Sequence, residues 1–126
     1  MKRNSNKDKN SIIKEKERLA TELFNKNQYE ESKLIYKEIL DIDPNNYKII
    51  CNLGILSGIN GNWADMEYML NKAINLKGND PEILNNLGIA YKHQGKTDLA
   101  IEAYKKSIKV KKDYAEAYYN LGILRQ

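Results

Sequence analysis

Apolar positions recur at steps of three and four along most of this chain, the spacing of helices that bury one face. Between Pro81 and Gln94 the series runs Leu84, Leu87, Gly88, Tyr91; between Thr97 and Val110 it runs Leu99, Ala100, Ala103, Tyr104, Ile108. Asp80 before Pro81 predicts a helix start, because the carboxylate accepts from first-turn N–H groups and proline lacks an N–H where none is needed. Gly95 predicts the stop and the reversal of the chain. The segment therefore reads as helix, tight turn, antiparallel helix. Only two prolines and seven glycines occur in 126 residues. A strand-and-turn fold, which needs a turn signal about every ten residues, does not fit.

The pattern is periodic on a larger scale. Asn52-Leu53-Gly54, Asn86-Leu87-Gly88 and Asn120-Leu121-Gly122 are separated by 34 residues each time, and each is followed by isoleucine at 55, 89 and 123. Tyr36, Leu70 and Tyr104 share a register, as do Ile39, Ala73 and Ser107, and Ile42, Leu76 and Val110. Asn27, Gly61 and Gly95 sit midway in each unit. Such self-similarity marks a stack of supersecondary units. It divides the chain into a polar leader at 1–12, expected to be disordered, repeats at 13–46, 47–80 and 81–114, and a partial fourth repeat at 115–126.

The order of a large residue, Leu-Gly, Tyr, then a small residue, an aromatic and a proline resembles the tetratricopeptide repeat. The third unit carries it as Leu84, Leu87, Gly88, Tyr91, Ala100 and Tyr104; the first carries it as Leu19, Ala20, Leu23, Ser32, Tyr36 and Pro44. The resemblance runs from Ile13 to the end. It implies an all-α, right-handed α-solenoid of antiparallel helix pairs, three 34-residue repeats plus one extra helix. Small residues are expected where helix axes come closest, at Gly54, Gly88, Gly122, Ala73 and Ala100. The second unit departs from the pattern, with Met66 where a small residue is usual and Ser57 where an aromatic is usual. Trp63 is expected to fill the space beside Ser57.

Composition narrows the function more than the fold. Apolar residues make up 41% and charged residues 30%, and the net charge of +4 is not concentrated in any one block. Lys105, Lys106, Lys109, Lys111 and Lys112 are interleaved with Ser107, Ile108 and Val110, which reads as a solvated helix face; neither nucleic acid nor membrane is an expected partner. No apolar run is as long as a membrane span, and the basic start lacks the apolar stretch of a secretory signal. A lone Cys51 makes no internal disulfide. The expected location is cytoplasmic. His93, the one histidine, has no predictable orienting carboxylate, Cys51 has no histidine at a matching position, and neither a phosphate-cradling loop nor metal-ligand spacing occurs. No enzyme activity, catalytic residue, metal or cofactor is expected.

The resemblance implies a concave groove lined by the first helix of each pair. Transferred by register, its walls are Lys14, Glu17, Thr21 and Phe24, then Lys48, Cys51, Asn52 and Ile55, then Glu82, Asn85, Asn86, Ile89 and Lys92, and finally Glu116, Tyr119, Asn120 and Ile123. The residues expected to contact a peptide are Asn52, Ile55, Asn86, Ile89, Lys92, Tyr119, Asn120 and Ile123. A side-chain amide both donates and accepts, which suits it to hold a peptide backbone without reading sequence. The repeated asparagines resemble the ladder of the protein O-linked N-acetylglucosamine transferases, broken in the first unit by Arg18. Members that grip chaperone tails use Lys, Asn and Arg. At the matching places this chain has Glu17, Thr21, Asn52, Glu82 and Asn86, and its two acids would repel such tails. The expected function is a protein–protein interaction scaffold for an extended peptide or helix; the alternative is a substrate-recognition or assembly module for a glycosyl- or sulfotransferase, fused or in trans. The last helix carries Tyr118, Tyr119, Leu121, Ile123 and Leu124 with little charge and no covering helix. Self-association through it, a partner there, or a longer array is expected.

Overall fold

The computed structural model describes the backbone of residues 2–125 and the side chains of residues 8–125. Every regular element among them is helical: α1 (Lys2–Asn25), α2 (Tyr29–Ile42), α3 (Tyr47–Ile59), α4 (Trp63–Lys77), α5 (Pro81–His93), α6 (Thr97–Val110) and α7 (Ala115–Leu124). The reversals inside the three pairs share one device. Asn27, Gly61 and Gly95 adopt left-handed φ values of 61°, 78° and 75°. Each lets the following N–H reach back to a carbonyl of the preceding helix: Gln28 to Leu23 at 2.8 Å, Asn62 to Ser57 at 2.8 Å and Lys96 to Tyr91 at 2.9 Å. Glycine takes this conformation without a Cβ clash, and asparagine is among the few other residues that tolerate it.

The chain forms two compact units, one up to Ile49 and one from Ile50 onward. In the first, α1 packs on α2 around Ala20, Tyr36 and Ile39, all buried. Ser32 Oγ donates to the Ala20 carbonyl at 2.9 Å, so the small residues at the crossing also tie the two backbones together. Phe24 and Tyr29 meet edge-on at 5.3 Å beside the turn. The helix α1 runs back to Lys2, a correction to the disordered leader expected over 1–12; Met1 lies outside the described residues. Glycine and proline are absent before Pro44, so nothing in the sequence breaks the ladder. From Asp8 to Ile12 the side chains are exposed, and this stretch buries nothing.

In the second unit α5 is the central element, packed against α4, α6 and α7. Ile83, Leu84, Leu87 and Ala90 are buried on it, and each of the larger three contributes roughly 1.5–3 kcal/mol by leaving water. Asp80 caps its start, accepting from the N–H groups of Glu82 at 3.0 Å and Ile83 at 3.1 Å. Close approach accounts for two of the three repeated glycines. A Cβ on Gly88 would lie 2.6 Å from Cδ1 of Tyr104, and one on Gly54 would lie 3.2 Å from Cβ of Met69. Gly122 differs: nothing lies within 4 Å of the place its Cβ would take, because no described helix covers that side of α7. Trp63, expected beside Ser57, lies against Gly58 and stacks flat on His93 at 3.9 Å between ring centroids. Ser57 turns its hydroxyl back to the Leu53 carbonyl at 3.1 Å.

Candidate functional site

Within the second unit, α3, α5 and α7 each carry candidate residues three or four apart, which puts them on one stripe of their own helix. Asn52 and Ile55 lie on α3, Asn86, Ile89 and Lys92 on α5, and Asn120 and Ile123 on α7. Asn52, Ile55, Asn86, Ile89, Lys92 and Asn120 are half-buried. Ile89 leans on the cluster of Ala100, Tyr104 and Leu121, and so belongs to the floor of the face. Tyr119 stands 71% exposed and Ile123 37%, which leaves them as the accessible apolar contacts.

The three asparagines are not equivalent. Asn120 Nδ2 donates to Asn85 Oδ1 at 2.9 Å, and Asn85 is only 1% exposed. This part-buried amide bond fastens α7 to α5 and takes up one donor of Asn120, whereas its oxygen and second N–H are left over. Asn52 and Asn86 hydrogen-bond through their side chains to none of the described residues. The difference follows from the sequence. The residue that Asn120 reaches stands 35 positions earlier; the counterpart for Asn86 is Cys51, whose thiol is a weak acceptor. The half-buried amide of Asn86 is thereby left with its donors and acceptor unused.

The face carries charge at the N-terminal ends of its helices. Burial, and then the nearby carboxylates of Asp80 and Glu82, push the Cys51 thiol up to about 12. Such a thiol stays protonated at neutral pH and is inert as a nucleophile. Burial likewise pushes the Tyr114 phenol up to about 12, reinforced by Glu116, Glu82 and Asp80. Three carboxylates thus act on one phenol, and neither Glu82 nor Glu116 is ion-paired with a described cation. Lys92 lies in the last turn of α5, toward the opposite end. Chemically the face offers unspent amides, an exposed phenol ring and a negative rim. His93 is occupied by its stack on Trp63, and no group of three His, Cys, Asp or Glu among the described residues is placed to hold a metal.

Two features escaped the sequence reading. Glu67 accepts from Gln94 and Lys96, each at 2.9 Å, and Gln94 also donates to the Ala90 carbonyl at 3.0 Å. Burial raises the Glu67 pKa, but the bonds from Lys96 and Gln94 and the Lys96 charge more than offset it and hold the carboxyl below its ordinary value. This knot ties α4 to the α5–α6 turn. A cavity of about 160 Å³ lies among α4, α5 and α6, floored by Leu84, Leu87 and Tyr91 and rimmed by Asn71 and Asn79. Asn71 has Lys37 and Lys105 at its matching positions and Gln94 has the shorter Asn60 and then Lys26, so periodicity did not announce the contacts of either. No helix among the described residues is long and apolar enough to cross a membrane.

Comparison with known proteins places the repeats in context. Family models described as "Tetratricopeptide repeat" match residues 17–46 and 69–102, and one described as "TPR repeat" matches residues 90–126. The probable UDP-N-acetylglucosamine–peptide N-acetylglucosaminyltransferase SPINDLY of Hordeum vulgare is 34% identical over 99 residues, which is 71% of this chain and 10% of that protein. The chain therefore spans about a tenth of the curated relative it matches. The first TPR of Spaghetti (RPAP3), bound to HSP90 peptide SRMEEVD, superposes with a TM-score of 0.86 at 20% identity, over 92% of both chains. The crystal structure of MamA superposes with a TM-score of 0.76 at 28% identity, covering 83% of this chain and 61% of that one.

Proposed function

The chain belongs to the tetratricopeptide repeat family, and on that premise we propose that it is an interaction scaffold whose α3–α5–α7 face binds an extended peptide or a helix of a partner protein. The observation that carries this reading is the pair of half-buried amides, Asn52 and Asn86, with no bond to any described residue. Buried polar groups are normally satisfied; an extended backbone supplies the missing donors and acceptors at about 3.3 Å per residue. Tyr119 and Ile123 add apolar contact at the α7 edge. The Spaghetti domain in its complex with an HSP90 peptide supports the mode of binding. The ligand chemistry differs: that peptide ends in acidic residues, whereas Asp80, Glu82 and Glu116 favour a segment bearing Lys or Arg. The chain acts by binding rather than by catalysis, in the cytoplasm, and takes a protein rather than nucleic acid or membrane as its partner. A second copy, joined through α7, is a further proposed partner.

Capture from native lysate on immobilised chain, beside an Asn52→Ala/Asn86→Ala variant, tests the face. Asn120 is left intact because α7 needs it. A partner held by the native chain and lost by a variant with unchanged circular dichroism supports the reading, and equal retention by both refutes it. The likeness to SPINDLY favours a second reading, a substrate-recognition or assembly module for a transferase. In that case the captured partner is a transferase, or the substrate of one.

A further inference from the structure

The cavity among α4, α5 and α6 lies between two helix pairs, and its walls come from three converging stripes. Leu84, Leu87 and Tyr91 face it from α5, Leu99 and Ala103 from α6, and Ile74 from α4. On α5 these residues occupy the side of the helix away from Asn86 and Ile89, so the cavity is separate from the peptide face. Its inner wall is aliphatic, since Leu84, Leu87 and Ala103 are its buried members. Its volume of about 160 Å³ suits a single aromatic ring; an aliphatic-walled cavity of about 150 Å³ takes up benzene. Leu84 holds the register position that Tyr118 holds in the next unit, so a ring is missing here that the repeat can carry.

The mouth of the cavity is polar and carries no net charge. Asn71 and Asn79 stand at it, and their side-chain amides hydrogen-bond to none of the described residues. Glu102 and Lys106, also at the rim, pair with each other at 3.2 Å. We propose that the cavity binds a phenylalanine side chain of a partner protein, ring inward and backbone across Asn71 and Asn79. The aliphatic inner wall favours a ring without a hydroxyl, which would be left unpaired there. Tyr91 favours an aromatic guest over an aliphatic one, because two rings gain from an edge-to-face or offset contact. The unused amides supply donors and acceptors for the peptide groups that flank the ring, and the neutral rim matches a neutral side chain.

Nuclear magnetic resonance titration of the full, isotopically labelled chain with N-acetyl-phenylalanine N-methylamide reads the site. Shifts concentrated at Leu84, Leu87, Leu99 and Ala103, with millimolar affinity, are expected. The corresponding leucine amide and toluene are each expected to bind at least tenfold more weakly, the first for want of a ring and the second for want of a backbone. Leu84→Phe fills the cavity from within and is expected to raise the melting temperature while abolishing the shifts. Asn71→Ala/Asn79→Ala is expected to weaken binding about tenfold with unchanged circular dichroism, and Asn52→Ala/Asn86→Ala to leave it as it was. No shifts at the cavity, or binding that survives either cavity variant in a folded chain, overturns the site and leaves a packing void only. Toluene bound as tightly as the amide assigns the cavity to a free ring and overturns the protein side chain. Equal affinity for the leucine amide overturns the aromatic one.

Discussion

Replacing Gly88 with alanine sets two effects against each other, and the packing decides which wins. Alanine is favoured over glycine inside a helix by about 1 kcal/mol. Against this, the new methyl would sit 2.6 Å and 2.8 Å from two atoms of the Tyr104 ring, and closer still to a third. Tyr104 is completely buried, so the ring has no solvent to retreat into, and overpacking of this kind costs about 1–3 kcal/mol. The clash with three ring atoms puts Gly88→Ala in the upper part of that range, for a net loss of about 1–2 kcal/mol after the propensity gain. Gly122→Ala meets nothing and keeps only the gain, about 1 kcal/mol. Urea unfolding followed by far-ultraviolet circular dichroism, at dilutions where self-association does not enter, measures both. Two substitutions at one register position are therefore expected to change stability with opposite signs. A Gly88→Ala protein as stable as the parent would mean that Tyr104 does not rest on Gly88.

The Tyr104 hydroxyl is buried without a hydrogen-bond partner; Tyr104→Phe removes it and is expected to raise the unfolding free energy by about 1 kcal/mol in the same assay. Asn120→Ala strands the buried Asn85 oxygen and is expected to cost about 1–3 kcal/mol, whereas Asn86→Ala should stay within about 0.5 kcal/mol of the parent; equal costs would put the free and bonded amides in the wrong places. Alkaline pH should destabilise the fold. The Cys51 thiol is raised from 9.0 to about 12, and the Tyr104 and Tyr114 phenols from 10.0 to about 12. The unfolded chain loses these protons first, so stability falls from about pH 9 toward 12. Cys51→Ala should flatten the lower part of that slope in pH-dependent unfolding.

Much of the fold was legible because it is periodic. The apolar register gave the helix pairs, Asp80-Pro81 gave the start of α5, and Asn27, Gly61 and Gly95 gave the reversals, each through a local property that repeats. What stayed hidden depends on contacts between residues that do not repeat in kind. Asn85 lies where the neighbouring units have Cys51 and Tyr119, so nothing in the sequence announced that it would accept a hydrogen bond from Asn120. Gly122 looked identical to Gly54 and Gly88, yet its role depends on a covering helix that the register does not supply. Trp63 was read against Ser57 of its own unit, whereas its ring found His93 on the next helix pair. The polar stretch before Ile13 was read by composition as disorder; α1 runs through it, with neither glycine nor proline there to interrupt the helix.

The binding face itself is tested most directly by titrating the isotopically labelled chain with a peptide selected from a random linear library, and mapping the amide shifts. Shifts concentrated at Asn52, Ile55, Asn86, Ile89, Lys92 and Tyr119, abolished by Asn52→Ala/Asn86→Ala, are the predicted result. Shifts confined to α4 and α6, or unchanged in that variant, would contradict a peptide site on α3, α5 and α7.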